Sequence, residues 1–193
     1  MALPRVLAFA GSLRKDSFNK KLVKIAVEGA RSAGAEVTLL DLKDFPMPVY
    51  DGDFETAEGL PANAKKLKEL FLGHEGLLIA SPEYNSSITG ALKNAIDWVS
   101  RVSSKEEPPL ACFNNKVAAI LSASPGALGG LRGLVHLRAI LGNIGVLVLP
   151  GQIAVPKAHE AFDAGGALKD AKQDAVVRKL GAKLAQILIK LKP

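Results

Sequence analysis

Five short strand-type runs, each followed by a segment of helical period or by a loop that leads into one, restrict the possible folds more than any other feature of this chain. Val6–Ala10, Gly76–Ala80, Val117–Ser122 and Val146–Leu149 are almost wholly apolar, and Glu36–Leu42 is rich in Val, Thr and Leu. Near-continuous apolar runs of this length belong to strands covered on both faces. Between them, Asn19–Ala33 places Leu22, Ile25, Ala26, Gly29 and Ala30 on one helical face and stops at Gly34. Pro61 suits the first turn of a helix to Leu72, before Gly73, and further helices are predicted over Thr89–Val99 and Leu131–Leu141. The last, Lys169–Leu191, carries Val177, Leu180, Leu184, Ile187, Leu188 and Leu191 at helical spacing with lysines opposite. Asp44–Gly59, with Pro46, Pro48 and Gly52, reads as an irregular loop.

Five strands alternating with five helices predict an α/β protein with a parallel sheet. At 193 residues the chain reads as one domain, 1–193. Right-handed crossovers reduce the choices to doubly wound sheets, and the flavodoxin-like order 2-1-3-4-5 sets the first and third strands side by side. The loops after those two strands would then share one crevice.

Both loops carry unusual chemistry. Gly11-Ser12-Leu13-Arg14-Lys15-Asp16-Ser17-Phe18-Asn19 follows the first strand and opens into a helix, so backbone N–H groups and a positive dipole end are offered to an anion there. Ser12, Ser17 and Asn19 add donors, and Arg14 adds a positive fork. The pattern Gly-x-Gly-x-x-Gly is absent, which favours a phosphomonoester such as FMN over the pyrophosphate of NAD. Ser81-Pro82-Glu83-Tyr84-Asn85-Ser86-Ser87 follows the third strand. Pro82 stiffens it, Tyr84 offers a flat face and Asn85 both donates and accepts, which suits the edge and face of a heteroaromatic ring. A loop with Tyr84 packed on the surface and Asn85 in a turn fits those residues equally well.

Taken together, Gly11–Leu22, Ser81–Trp98 and the glycine-rich Ser122–Gly130 resemble the NADPH-dependent FMN reductase family, whose members include bacterial chromate, quinone and azo-dye reductases. The resemblance implies that Ser12, Arg14, Ser17 and Asn19 hold the FMN phosphate, with Phe18 donating its backbone N–H. It further implies that Pro82, Glu83, Tyr84 and Asn85 line the isoalloxazine, and that Ser124 and Gly126 meet its other edge or the ribityl chain. Thr89 stands where many relatives have proline, and threonine is a competent helix N-cap. Members form dimers or tetramers, so Leu128–Leu137 is a candidate subunit contact.

Composition narrows the class further. The net charge is +6, but Lys20, Lys21, Lys24, Lys65, Lys66, Lys68, Lys179, Lys183, Lys190 and Lys192 are scattered over helix faces, with no nucleic-acid module. Solvated faces are the plainer reading, and attraction of oxyanion substrates the second. One cysteine, Cys112, excludes an intrachain disulfide, and His74, His136 and His159 lack partners at metal-ligand spacing, so no metal site is expected. Neither a signal peptide nor a membrane span is expected, and a cytoplasmic location fits. Asp97 and Glu83 resemble an acid/base pair, though helix orientation and salt pairing explain them as easily. Arg101, just past Trp98, reads first as a cation at a helix C-terminus, worth up to about 1 kcal/mol. Its second reading is a substrate-binding charge supplied to a neighbouring subunit's flavin.

The expected function is transfer of two electrons from NADPH or NADH through FMN to quinones, chromate, azo compounds or free flavin, by a ping-pong mechanism with no catalytic side chain. The alternative is a flavodoxin-like carrier that docks to redox partners, and a third reading is a ligand sensor without turnover.

Overall fold

The computed structural model describes residues 2–192. Its sheet has five parallel strands in the order β2-β1-β3-β4-β5. These are β1 (Arg5–Ala10), β2 (Glu36–Asp41), β3 (Gly76–Ala80), β4 (Val117–Ala123) and β5 (Leu147–Val155). The helices are α1 (Phe18–Ser32), α2 (Gly52–Glu58), α3 (Ala62–Leu72), α4 (Gly90–Val99), α5 (Leu131–Asn143), α6 (Ala158–Ala161) and α7 (Ala171–Leu191).

Alternation along each strand sends side chains to two cores. Val6, Ala8 and Ala10 of β1 face one way and pack with α1 and α7, through Leu22, Ala26, Val177 and Leu184. Leu7 and Phe9 face the other way, onto α3, α4 and α5, through Phe71, Leu92 and Leu137. The central β3 and β4 are buried at every position, as their almost wholly apolar composition requires. Because all five strands run parallel, the loops after β1, β3 and β4 leave the same edge of the sheet.

Three expectations need correction. The Asp44–Gly59 segment is not wholly irregular: Leu42–Asp44 forms a 3-10 turn, and α2 follows with Asp51 accepting from the N–H groups of Asp53 and Phe54. The predicted fifth strand, Val146–Leu149, continues to Val155 through an irregularity in its pairing with β4. Pro150 is tolerated because β5 is an edge strand. Lys68 is no solvated lysine either. It is 2% exposed, and its ammonium donates to the carbonyls of Val99 at 3.4 Å and Arg101 at 2.5 Å and to Glu107 Oε1 at 2.6 Å. Three acceptors satisfy its three donors, which is what permits its burial.

Candidate functional site

The turn after β1 delivers α1 with an open N-terminus. Ser17 is the N-cap residue but its hydroxyl makes no capping bond, and the first turn holds no acidic side chain. The first N–H groups of α1 and the positive end of its dipole therefore have no side-chain partner, the arrangement that favours an anion. Ser12 is 3% exposed and Ser17 5%. Ser12 Oγ accepts from Arg14 N at 3.3 Å, so its own hydrogen remains free to donate.

The turn after β3 is tightened by a pair of backbone bonds between Tyr84 and Ser87, of 2.9 and 3.0 Å. Asn85 and Ser86 both adopt positive φ, +50° and +66°, the signature of a type I′ turn. Tyr84 projects outward and is half exposed. Glu83 fixes the base of the turn: one carboxylate oxygen accepts from Arg132 at 2.7 and 3.1 Å, the other from Gly133 N at 3.0 Å. Burial works against its ionisation, yet the Gly133 N–H and the Arg132 guanidinium outweigh it and hold the carboxyl below its ordinary range. A side chain at Gly133 would press on Ser87 O and Glu83, so only glycine lets α5 come this close.

These segments meet in one cleft. Ser12, Arg14, Ser17, Phe18 and Asn19 form one wall, Pro82, Glu83 and Tyr84 the second, and Ala123, Ser124 and Pro125 the third, around about 80 Å³. Two sequence-derived candidates, Asn85 and Gly126, lie one residue beyond this lining. Ala123 and Pro125, which motif reading passed over, belong to it. The Asn19 amide is committed elsewhere: Nδ2 donates to Ala123 O at 2.8 Å and Oδ1 accepts from Ala123 N at 2.9 Å. It joins the first wall to the third. A larger groove, about 840 Å³, runs along α1, and its lining mixes Lys15, Lys20 and Lys24 with Asp16, Asp41 and Asp44. The buried hydroxyls, the arginine and the open helix N-terminus of the smaller cleft make it the candidate site.

Arg101 stands apart. It follows α4 and is not among the residues that line the cleft. Its Nε contacts both oxygens of Glu55 at 2.9 Å, and its guanidinium sits 5.6 Å from the Tyr50 ring. The acceptors at the α4 C-terminus are met by Lys68 instead. Asp97 pairs with Lys93, so neither it nor Glu83 is a free acid.

A donor set of buried hydroxyls, an arginine and an uncapped helix N-terminus, beside a rigid turn that presents a tyrosine, fits a phosphate joined to a flat ring. Comparison with known proteins agrees. The model of the NADPH-dependent FMN reductase family matches residues 4–160. The chain belongs to that family. An NAD(P)H-dependent FMN reductase of Pseudomonas aeruginosa is 38% identical over 176 residues, 91% of this chain and 90% of the relative. A quinone reductase of Escherichia coli is 38% identical over 145 residues, 75% of this chain and 73% of the relative. Among solved structures, FerB, a flavoenzyme NAD(P)H:(acceptor) oxidoreductase of Paracoccus denitrificans, matches with a TM-score of 0.80 at 27% identity, over 97% of this chain and 98% of its own. Membership makes the protein an oxidoreductase with FMN as cofactor and NAD(P)H as co-substrate. Among the described residues no helix is long and apolar enough to cross a membrane.

Proposed function

We propose that this protein is a quinone reductase that uses the cleft between the three loops to hold FMN and works by a ping-pong mechanism. The observation that carries the reading is the uncapped, acid-free N-terminus of α1 opening into the same cleft as the Pro82–Tyr84 turn. In this reading Ser12, Arg14, Ser17 and the Phe18 N–H hold the phosphate, and Asn19 keeps that wall against Ala123. Pro82, Glu83, Tyr84 and Asn85 set the ring, with Ser124 and Gly126 along its other edge or the ribityl chain. Bound there, FMN would supply two-electron redox chemistry between NAD(P)H and the acceptor.

The protein contributes position and electrostatics. The exposed Tyr84 leaves one side of the cleft open to solvent, so NAD(P)H and acceptor share that opening in turn. A quinone reduced by two electrons yields no radical product. Chromate, azo compounds and free flavin are further acceptors that an open cleft admits, and the net charge of +6 favours the anionic ones. A cytoplasmic homodimer or homotetramer is the assembly we expect.

Anaerobic NADPH bleaches the flavin absorbance of the purified protein, a quinone restores it, and double-reciprocal plots of initial rate against quinone at several NADPH concentrations are parallel. Converging lines overturn the shared opening, and a flavin that stays oxidised assigns a partner-dependent carrier. Arg14→Ala weakens FMN binding about tenfold to a hundredfold, the value of a charge-assisted hydrogen bond, measured by quenching of flavin fluorescence.

A further inference from the structure

Phe18 is the first residue of α1 and lines the cleft. What holds it there is a segment beyond the stretch matched by the family model, which ends at residue 160. The Phe18 ring stacks on Phe162, with centroids 5.8 Å apart and planes 17° from parallel. Phe162 is 5% exposed, and the Lys21 ammonium approaches the Phe18 ring at 5.8 Å. Gly166 sits against the Lys21 stem, where a Cβ would come within 3.3 Å of Cγ, and its φ of +90° favours glycine.

Phe162 is itself rigidly placed. Asp163 N donates to Ala167 O and Ala167 N to Asp163 Oδ1, both at 2.9 Å, which closes residues 162–168 into a short hairpin bridged at Phe162 and Leu168. Lys169 N donates to Ala161 O at 2.9 Å. On the other side, Lys157 N and Ala158 N donate to Gly126 O and Ser124 O, which ties the start of the same strap to the third wall of the cleft. Lys157 adopts φ +46° to do so, an unfavourable conformation for a side-chain-bearing residue that persists only where its surroundings impose it.

We propose that Phe162 is a positioning residue for the FMN phosphate: by seating the Phe18 ring it holds the first turn of α1 in register, so that its N–H groups are aimed before the ligand arrives. The inference rests on the assignment of the phosphate to the α1 N-terminus. Preorganisation of donors raises affinity by removing an ordering cost from the binding step, and the cost falls on the phosphate end alone. The ring is held by the other two walls.

The test compares FMN with riboflavin, which lacks the phosphate, using apoprotein and flavin fluorescence, with thermal unfolding of the apoprotein measured alongside. Phe162→Ala lowers the FMN-to-riboflavin affinity ratio about tenfold, and Phe162→Leu, which keeps bulk but loses the flat face, lowers it about threefold. Should the alanine variant fail to fold, the leucine variant carries the test. A ratio equal to wild type in a folded variant, or equal losses for the two ligands, overturns the proposal whatever happens to the melting temperature. Arg14→Ala separates the two readings. If it lowers the ratio while Phe162 variants do not, only the role of Phe162 fails; if it leaves the ratio unchanged, the phosphate site itself is misassigned.

Discussion

Thr89 shows how much one side chain in this site can do. Its Oγ1 accepts from Leu92 N at 3.1 Å, capping α4, and donates to Gly11 O at 2.6 Å, tying the start of α4 to the exit of β1. The residue is 2% exposed, so loss of the hydroxyl leaves a buried N–H and a buried carbonyl unpaired. Thr89→Val, which keeps the shape, therefore lowers stability by about 1–3 kcal/mol, read from urea denaturation; an unchanged midpoint would refute the double role. The capping half of this role was legible in the sequence, since threonine before a helix is a local signal. The bond to Gly11 was not, because the partner is 78 residues away. The same holds for Asn19 with Ala123 and for Glu83 with Arg132 and Gly133: the residues stood out, their partners did not.

Among the elements, α1 and α7 make the closest contact. A Cβ at Gly29 would lie 1.9 Å from Arg178 O, and one at Gly181 would lie 1.9 Å from Ala26 O. The two backbones cross at a pair of glycines, and even a methyl group forces them apart. Gly181→Ala removes a helix-weakening residue, worth about 1 kcal/mol in isolation, yet here it destabilises by about 3 kcal/mol or more because backbone has to move. Equilibrium denaturation decides the sign, and a stabilised variant would contradict the crossing. Neighbouring elements explain what periodicity could not see. No residue of α2 is buried, so it leaves no amphipathic pattern, and it is held by the Asp51 cap and by the Glu55 ion pair with Arg101. The far half of β5 was hidden by Pro150-Gly151, which reads as a stop in sequence and is only an irregularity at a sheet edge.

On the scale of the whole molecule, several carboxylates that hold separate segments together respond to acid in the same direction. At Glu55, Glu83 and Glu107 burial opposes ionisation, but Arg101 with Tyr50, Gly133 with Arg132, and Lys68 with Ser103 respectively outweigh it, so each is held below its ordinary range. A carboxyl lowered in the fold contributes stability above its unfolded value and loses it as pH falls through the folded value. Stability therefore declines as pH drops below about 4.3, the ordinary glutamate value. The chain's single tryptophan, Trp98, is fully buried between Tyr50 and Phe54, next to the Glu55 pair. Its emission shifts to the red over that acid range, and an unchanged spectrum down to pH about 3 would show that these pairs do not hold the α2 segment in place.

The sequence by itself determined the class of fold and singled out three loops as candidates for the site, because apolar periodicity, glycine and proline stops and hydroxyl-rich helix starts are all local, whereas the strand order was a choice among doubly wound sheets. A parallel sheet then leaves no choice about which edge those loops share. What only the tertiary structure decided is how distant segments are held together: Asn19 turned to a strand backbone, Lys68 buried on three acceptors, Arg101 drawn to Glu55, and Phe162 placed under Phe18. Each of these joins residues between 31 and 144 positions apart. A side chain's donors and acceptors are fixed by its type, but which partner satisfies them is fixed by packing.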